Sequence, residues 1–439
     1  MKKVVKFGGS SLASAEQFKK VINIIKSDSR RRYAVPSAPG RRFSEDTKVT
    51  DMLYQCYAMA EADEDFSIAL DKIKARYQEI IDGLGLDFSL EQDFITIEQM
   101  FKEKAGKDYA ASRGEYLNGK ILAECLDWPF IDPVFYIRFK EDGTFDDVKT
   151  YELLCPKMEE LENAVIPGFY GGYEDGRVKT FSRGGSDVTG SIIAKAARVD
   201  IYENWTDVSG FLLTDPRIVQ DPEVIEYITY RELRELSYMG AGVLHEEAIF
   251  PVRRAGIPIN IRNTNRPEDP GTMIVANTSQ KPKFIITGIA GHKGFTCINI
   301  EKDMMNAEIG FGSRILAAIA KAGISFEHIP SGIDTMSVFI NQQEFFEHEQ
   351  FILSEIRRTC DPDHIELETD LALIAVVGRG MKKTPGAAAR VFIGLAQAGI
   401  NIKMIDQGSD EMNIIIGVEN KDFEGAIRAI YDVFVNYAD

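Results

Sequence analysis

The chain has 439 residues, of which 44% are apolar and 27% charged, and its formal net charge is −17. This length predicts two or three domains of a globular protein, and the acidic balance argues against a nucleic-acid-binding protein. Five scattered cysteines without a C-x-x-C pair predict neither a disulfide framework nor a zinc site. The start MKKVVKFGGSS lacks the apolar core of a signal peptide, and no apolar run reaches the ~18 residues of a membrane span. We therefore expect a cytoplasmic protein without a membrane partner.

The N-terminal part predicts strand–helix–strand units, which are typical of an α/β sheet. Ser14 is the expected N-cap of a helix with an apolar stripe, and residues 33–35 form the expected next strand. Residues 51–127 interleave charged and apolar residues at helical spacing, so they predict helices. The segment VFYIRFKEDGTFDDV predicts a hairpin that turns at residues 142–143.

The first candidate motif is KFGGSS, in which Lys6 ends a predicted strand and Gly8, Gly9 and Ser10 follow. Glycines let backbone N–H groups approach a phosphate, and phosphoryl transfer needs such donors and cations around the transferred group. The lysine precedes the glycines, so the motif is not a Walker loop. Taken alone, it also fits an ordinary strand-to-turn junction.

The second motif, SRGGSD, begins a predicted helix whose N-terminus attracts anions. Arg183 can hold a carboxylate with two parallel hydrogen bonds, and Asp187 can orient a lysine or bind Mg²⁺. Ser186 and Asp187 fit a role as simple helix caps equally well. Glu115, in SRGEYLNGKIL, is expected to precede or open a helix, where a solvated carboxylate is the simpler interpretation.

An internal repeat occupies the last third of the chain. Residues 310–340 align with residues 386–416 without a gap, and eleven positions are identical, Arg314/Arg390 among them. Each copy predicts strand, helix, strand, turn, strand and helix, which together form a small βαββαβ sandwich. Two copies are too few for a solenoid, so we interpret them as a paired regulatory module.

The ordered set KFGGSS, SAPGRRFSEDTKVTD, SRGE, SRGGSD, WTDVSGFLLTDPR, VLH, IRNT and PGT resembles the aspartate kinases of the amino-acid-kinase superfamily, and the repeat resembles their ACT domains. The resemblance covers essentially the whole chain. It implies an α/β fold: an amino-acid-kinase sandwich, with a central, mostly parallel sheet between helices, followed by two βαββαβ ACT domains. The expected boundaries are 1–280 for the catalytic domain, 281–365 for the first ACT region, whose first strand could belong to the second copy, and 366–439 for the second ACT domain.

The resemblance also implies a reaction: ATP-dependent, Mg²⁺-assisted phosphorylation of the side-chain carboxylate of L-aspartate to 4-phospho-L-aspartate. This reaction is the first step of lysine, threonine and methionine biosynthesis. Two alternatives stay open, namely a sister kinase acting on another acidic substrate and an amino-acid sensor with a weakened kinase domain.

The matching positions imply a role for each candidate residue. No protein metal ligand set is implied. The catalytic pair is Lys6 and Asp187; aspartate is bound by Thr50, Glu115, Arg183 and Ser186; the nucleotide is contacted by Gly8, Gly9, Ser10, Thr206, Asp207 and Arg217.

Three positions depart from the family pattern. Gly242 replaces a lysine that reaches the nucleotide phosphates, Leu212 replaces a tyrosine near the adenine, and Ser209 replaces an aspartate. These departures affect the expected nucleotide contacts more than the aspartate contacts. Arg217 or Mg²⁺ is then expected to carry more of the phosphate charge.

The ACT pair implies feedback by an end-product amino acid, commonly lysine or threonine, in a homodimer or homotetramer. Met305, Gly310, Phe311 and Glu327 match positions that line such a site, and the carboxylate of Glu327 would suit an effector ammonium. Ordinary turn and helix-end positions are the alternative interpretation of the same four residues.

Overall fold

The computed structural model describes residues 1–182, 184–241, 246–278, 280, 282–382 and 384–436. The chain forms two compact units. The first unit comprises Met1–Phe211, Val224–Tyr230 and Val243–Thr278; the second comprises Leu212–Glu223, Arg231–Gly242 and Ser279–Asp439.

Strands and helices are numbered in chain order. The strands are β1 Lys3–Phe7, β2 Arg31–Pro36, β3 Arg138–Phe139, β4 Phe145–Asp146, β5 Ala164–Val165, β6 Tyr170–Gly172, β7 Val178–Thr180, β8 Ile201–Thr206, β9 Tyr227–Thr229, β10 Ile259–Asn263, β11 Thr272–Val275, β12 Gly288–Glu301, β13 Thr335–Asn341, β14 His364–Val377, β15 Met404–Asp406 and β16 Asn413–Glu419. The α-helices are α1 Ala15–Lys26, α2 Val49–Glu61, α3 Ser67–Leu84, α4 Glu91–Lys102, α5 Lys107–Leu126, α6 Asp147–Glu160, α7 Gly185–Ala196, α8 Tyr230–Tyr238, α9 Glu246–Ala255, α10 Phe311–Lys321, α11 Gln342–Cys360, α12 Ala387–Gln397 and α13 Phe423–Tyr431.

The first unit is built on a seven-stranded sheet of order β5-β2-β1-β8-β10-β11-β9. Every neighbouring pair is parallel except β10 with β11. Helices α1 to α5 share one apolar core with residues of β1, β2 and β8, while α7 packs on the same strands with Lys6 and Asn204. The predicted α/β class, with a mostly parallel sheet between helices, is confirmed.

Several local predictions are also confirmed. The Ser14 side chain caps α1 by accepting a hydrogen bond from the backbone N–H of Gln17. Residues 51–127 fold almost entirely as α2 to α5. The hairpin turning at residues 142–143 is formed by β3 and β4, which pair antiparallel in a separate four-stranded sheet of order β4-β3-β6-β7.

The two faces of β1 and β8 differ in chemistry because successive side chains point to opposite faces of a sheet. In the parallel register Lys6 lies opposite Asn204, and Val5 lies opposite Glu203. One face therefore carries Lys6 and Asn204, and the other carries Lys3 and Glu203.

The Glu203 face holds a buried ion network. The Glu203 carboxylate lies 2.6 Å from Lys3 Nζ and 2.8 Å from Arg31 Nε, and it accepts a hydrogen bond from Trp205 Nε1 at 2.9 Å. Although burial alone would raise it, Arg31 and Lys3 hold the pKa of Glu203 below its ordinary value. Because Arg31 belongs to β2, this network ties the neighbouring strands β2, β1 and β8 together.

The second unit contains a five-stranded antiparallel sheet of order β13-β12-β14-β16-β15. The long strands β12 and β14 pair from end to end, with two shifts of register, and both lie alongside the two copies of the repeat. The first half of β12 pairs with residues 372–377, next to β16 of the second copy, and its second half pairs with β13 of the first copy. The two copies therefore share one continuous sheet.

The two copies differ at their middle strand. The second copy has β15, whereas the first copy has only the isolated bridges His328↔Phe339 and Ser331↔Met336 among its described residues. Pro330 lies between the two bridges; it accepts from the Ser337 N–H at 2.9 Å but has no N–H to donate in return, so one bond of a regular ladder is lost there.

No helix within the described ranges combines the length and the apolar character needed to cross a bilayer.

The Glu203 network generates a stability prediction. Glu203→Gln removes the buried carboxylate and leaves the Lys3 and Arg31 cations without it, so the free energy of unfolding should fall by about 3–5 kcal/mol. Urea denaturation at neutral pH measures this change. Glu162→Gln is the matched control, because it removes an exposed partner of the neighbouring Arg32 and should leave the midpoint unchanged. Equal midpoints for the two variants would contradict a stabilising role for the network.

Candidate active site

The carboxyl ends of β1 and β8 bring a lysine, a carboxylate and an amide together. Asp187, in the first turn of α7, places Oδ1 2.6 Å from Lys6 Nζ. The Asn204 Nδ2 donates to the same oxygen at 2.8 Å, and Asn204 Oδ1 lies 3.5 Å from Lys6 Nζ. The side chains of Lys6 and Asp187 are only 10% and 15% exposed, so water screens their attraction weakly. The motifs KFGG and GGSD thus meet at one point although they are far apart in the chain.

The turn before α7 packs tightly against the segment that enters β6. Gly184 has φ +61°, in the left-handed region that favours glycine. A Cβ on Gly168 would lie 2.6 Å from Ser186 Oγ, so only glycine fits opposite the buried Ser186. Arg183, the predicted carboxylate clamp, lies outside the described residues.

Glu115 lies in the interior of α5, so the prediction that it precedes or opens a helix is wrong. It was placed by local pattern, whereas α5 begins eight residues earlier at Lys107. The side chain is buried, and burial raises the pKa of Glu115 to about 8, against the lowering effect of the Ala38 N–H and of the charges of Arg113 and Lys6. Its Oε2 is buried without a hydrogen-bond partner among the described residues. Such an atom is stabilised when a cationic donor binds it.

The glycine turn after β1 is held by the neighbouring loop. The Gly8 N–H donates to the Trp205 carbonyl at 3.0 Å, so this amide is already engaged. Gly40 N–H donates to the Gly9 carbonyl at 2.8 Å, and a Cβ on Gly40 would lie 2.6 Å from the carbonyl carbon of Gly9. Ser10 follows Gly9 in a short 3-10 turn. In the described part of the chain, the N–H groups of Gly9 and Ser10 have no acceptor, so they are the amides that remain for a phosphate.

Arg76, on α3, fixes the loop that contains Gly40. Its guanidinium donates to the carbonyls of Ala13 and Gly40 at 2.9 and 3.1 Å and lies 3.1 Å from Asp46. The loop leads directly into α2, where Thr50 is the second residue and is half-buried. Arg76 therefore connects the glycine turn to the segment that carries the predicted substrate threonine.

The predicted nucleotide contacts are divided between the two units. Thr206 ends β8 beside the strand of Lys6, and its hydroxyl lies 3.2 Å from Asp207 Oδ1. Ser209, where the family pattern has an aspartate, donates to Asp269 at 2.5 Å. Arg217 belongs to the second unit, where its exposed guanidinium pairs with Asp215 at 2.6 Å. Gly242 lies outside the described residues.

Arg217 and Leu212 line a cavity of about 480 Å³ within the second unit. The residues that line this cavity all belong to the second unit. The cavity alone therefore does not assign Arg217 or Leu212 to nucleotide binding.

The four predicted effector residues have two different environments in the second unit. Met305 and Phe311 are buried in the core of the first repeat copy, and Gly310 has φ +80° at the start of α10. Glu327 is half-buried, and its carboxylate accepts a hydrogen bond from Tyr238 Oη at 2.5 Å. This bond is the main reason why the pKa of Tyr238 is raised to about 12. Of the four, only Glu327 presents a polar side chain.

Sequence reasoning missed Asn204, Gly40 and Arg76. Asn204 carried a usable signal, because asparagine is depleted in strands and here stands between buried strand residues. Gly40 and Arg76 had no such signal, since their roles depend on contacts between distant segments. Among the described residues, no group of three or more His, Cys, Asp or Glu side chains is arranged to hold a metal ion.

Comparisons with known proteins agree with this architecture. Residues 1–263 match the Amino acid kinase family, and residues 374–434 match an ACT domain. The chain belongs to the amino acid kinase family.

Relatives that match over the whole chain define its class within this family. Aspartokinase 3 of Bacillus subtilis (strain 168) is 38% identical over 448 residues, which cover 98% of each chain. The crystal structure of Clostridium acetobutylicum aspartate kinase is similar with a TM-score of 0.90 at 51% identity, over 99% of this chain and 100% of that one. E. coli aspartokinase III in complex with aspartate and ADP is similar with a TM-score of 0.72 at 25% identity, over 99% of both chains. Within its family the chain is therefore an aspartate kinase, as the resemblance of its motifs predicted.

The environment of Glu115 generates a prediction about pH. Because its pKa is raised on folding, Glu115 favours the folded state below the unfolded pKa near 4.5, and that contribution is lost as pH rises towards 8. The stability of Glu115→Gln relative to wild type should therefore increase by up to about 1.4 kcal/mol per pH unit between pH 5 and 8. Urea denaturation across this range measures the difference. Glu124→Gln, an exposed change on the same helix, should follow wild type, and parallel curves for the Glu115 variant would refute the raised pKa.

Proposed function

We propose that the chain transfers the γ-phosphoryl group of ATP to the side-chain carboxylate of L-aspartate, which forms 4-phospho-L-aspartate and ADP. This reaction opens the biosynthesis of lysine, threonine and methionine. The solved complex of E. coli aspartokinase III with aspartate and ADP supports this choice of substrates, since that enzyme shares the fold over the whole chain. We propose residues 1–280 as the catalytic domain, with ACT regions at 281–365 and 366–439.

The observation that carries the proposal is that the first unit contains both a fixed cation and a buried carboxylate with an unsatisfied oxygen. Lys6 is held by Asp187 at 2.6 Å, and Glu115 interacts electrostatically with Lys6 while its Oε2 has no donor in the described part of the chain. A phosphoryl group requires the cation, and an amino acid's ammonium matches the carboxylate. A sister kinase without an amino-acid substrate would have no use for Glu115 in this state.

In the proposed mechanism, Glu115 binds the substrate ammonium, and Arg183 with Ser186 and Thr50 binds the α-carboxylate end. This leaves the side-chain carboxylate to attack the γ-phosphorus in line. Lys6 stabilises the charge on the transferred phosphoryl oxygens, and the N–H groups of Gly9 and Ser10 donate to the phosphates.

Asp187 holds Lys6 in place during transfer. Its Oδ2 has no hydrogen-bond donor among the described residues, so this oxygen would hold a Mg²⁺ that accompanies the nucleotide. When bound, Mg²⁺ supplies neutralisation of phosphate charge. The acyl phosphate product hydrolyses readily, so the loop fixed by Arg76 must exclude water from the site.

An ADP-release assay tests the proposal. The purified chain is incubated with Mg·ATP and with aspartate, glutamate or no acceptor, and the product is trapped with hydroxylamine as a hydroxamate. Aspartate-dependent ADP and hydroxamate are expected. ADP with glutamate alone would favour a sister kinase, and no ADP under any condition would favour an amino-acid sensor.

The role of Lys6 generates a kinetic prediction. Lys6→Ala removes the cation at the transferred phosphoryl group, so kcat should fall by at least ~10²–10³-fold. Steady-state assays with saturating aspartate and ATP measure it. Lys19→Ala removes an exposed lysine of α1 as the control and should keep wild-type kcat. A Lys6 variant with near-normal turnover would exclude the assigned role.

We further propose that an end-product amino acid, lysine or threonine, regulates the enzyme through the ACT regions of a homodimer or homotetramer. The complex of E. coli aspartokinase III with lysine and aspartate supports lysine as one choice. In the second unit, Glu327 is the carboxylate available for an effector ammonium, and Tyr238 currently donates to it. An effector would therefore compete with the Tyr238 hydroxyl.

This competition generates a binding prediction. A ligand at 100 times its Kd adds ~2.7 kcal/mol of stability, so thermal shift with lysine and with threonine identifies the effector. Glu327→Gln should abolish the shift, and Tyr238→Phe should enlarge it at subsaturating ligand because Glu327 loses its internal donor. Glu366→Gln, an exposed change on β14, is the control. An undiminished shift in Glu327→Gln would place the effector elsewhere.

A further inference from the structure

Asn204 occupies an unusual position for an asparagine. It lies inside β8 and is only 3% exposed, between Glu203 and Trp205, which face the other side of the sheet. Both ends of its amide are engaged at the candidate site: Nδ2 donates to Asp187 Oδ1 at 2.8 Å, and Oδ1 lies 3.5 Å from Lys6 Nζ. A buried polar side chain in a strand is tolerated only when its hydrogen bonds are satisfied, and here both partners are charged.

We propose that Asn204 is a positioning residue for phosphoryl transfer, which holds Asp187 and Lys6 in one fixed arrangement. The inference rests on the proposed function, because it concerns the same lysine and carboxylate. An amide donates to a carboxylate and accepts from an ammonium at the same time, and it does so at every pH. Leucine would do neither, and an ionised aspartate would accept from Lys6 but repel Asp187.

The physical benefit follows from how the charge of Lys6 is shared. A lysine ammonium on a flexible stem can rotate about a single ion pair. In such a pair, the carboxylate also neutralises part of the ammonium charge. Because Asn204 donates to the same Oδ1, part of the negative charge of that oxygen is already neutralised, and more of the Lys6 charge remains for the phosphoryl oxygens. The other groups that face this cluster are the Tyr202 hydroxyl, which donates to the Asp187 carbonyl at 3.3 Å, and Glu115.

Kinetics of two variants test the proposal on the full chain. Asn204→Leu should lower kcat about 10- to 100-fold, the range expected for losing hydrogen bonds to charged groups, and should change KM for aspartate less than threefold. Asn204→Asp should be as slow as the leucine variant at pH 8. Relative to wild type at the same pH, it should recover as pH falls towards 5.5, because a protonated carboxylic acid can donate to Asp187. A merely structural role would give no such pH-dependent recovery.

Asn260→Leu is the matched control. Asn260 lies on the neighbouring strand β10 opposite Glu203, so it points to the other face of the same sheet. This variant should keep wild-type kcat. An Asn204→Leu enzyme within threefold of wild-type kcat would overturn the proposal, as would equal losses of Asn204→Leu and Asn204→Asp at every pH.

A measurement without turnover separates this inference from the proposed function. Pyridoxal phosphate forms imines with lysines, and borohydride reduction with peptide mapping gives the labelling rate of each one. In Asn204→Leu, Asp187 Oδ1 loses the amide donor and binds the Lys6 ammonium more tightly, so Lys6 should label at least threefold more slowly than in wild type, with Lys19 as the internal reference. If the wild type makes no phosphoaspartate but Lys6 labelling changes in this way, the proposed function fails and the positioning role stands. An unchanged Lys6 rate in an active enzyme removes the positioning role alone.

Discussion

The parallel pairing of β1 with β8 is the constraint on which the site depends. It sets Lys6 beside Asn204 on one face and brings Lys3 to Glu203 on the other. Since side chains alternate along a strand, a slip of one residue would exchange the two sets and place each cation against the wrong partners. The buried network around Glu203 and the cluster around Asp187 therefore specify the same register from opposite faces, and the geometry of the site is inseparable from the stability of the sheet.

Two buried glutamates in the first unit show how environment separates structure from chemistry. Glu203 has two cations and an indole N–H as partners, and its pKa is held low despite burial. Glu115 is equally buried but keeps one oxygen without a donor among the described residues, and its pKa is raised to about 8. A satisfied carboxylate stabilises the fold, whereas an unsatisfied one is a cost that a ligand can relieve. This contrast is a physical reason to assign substrate binding to Glu115 independently of its family motif.

Features that depend on local sequence pattern were predicted correctly, whereas features that depend on contacts between distant segments were not. The cap at Ser14, the hairpin at residues 142–143 and the alternation of strands and helices follow from short-range propensity, and they were correct. Glu115 was predicted at or before a helix start, whereas α5 runs from Lys107 through Gly114 and Gly119 to Leu126. Gly40 reads as an ordinary loop glycine until its contact with Gly9 is seen.

Under the proposed function, the charge state of the site explains how a chain of net charge −17 would accept two anionic substrates. With Asp187 paired to Lys6 and Glu115 largely protonated below pH 8, neither carboxylate presents a full negative charge to an incoming ligand. In the proposed mechanism, the substrate ammonium favours ionisation of Glu115 when it binds. The site would then gain negative charge only next to that positive group. Binding below pH 8 should release a proton for this reason, and affinity for aspartate should strengthen as pH rises towards 8. Burial of the two carboxylates thus removes part of the repulsion expected from the overall field, and in the proposed mechanism Lys6 and Arg183 supply the local positive charge.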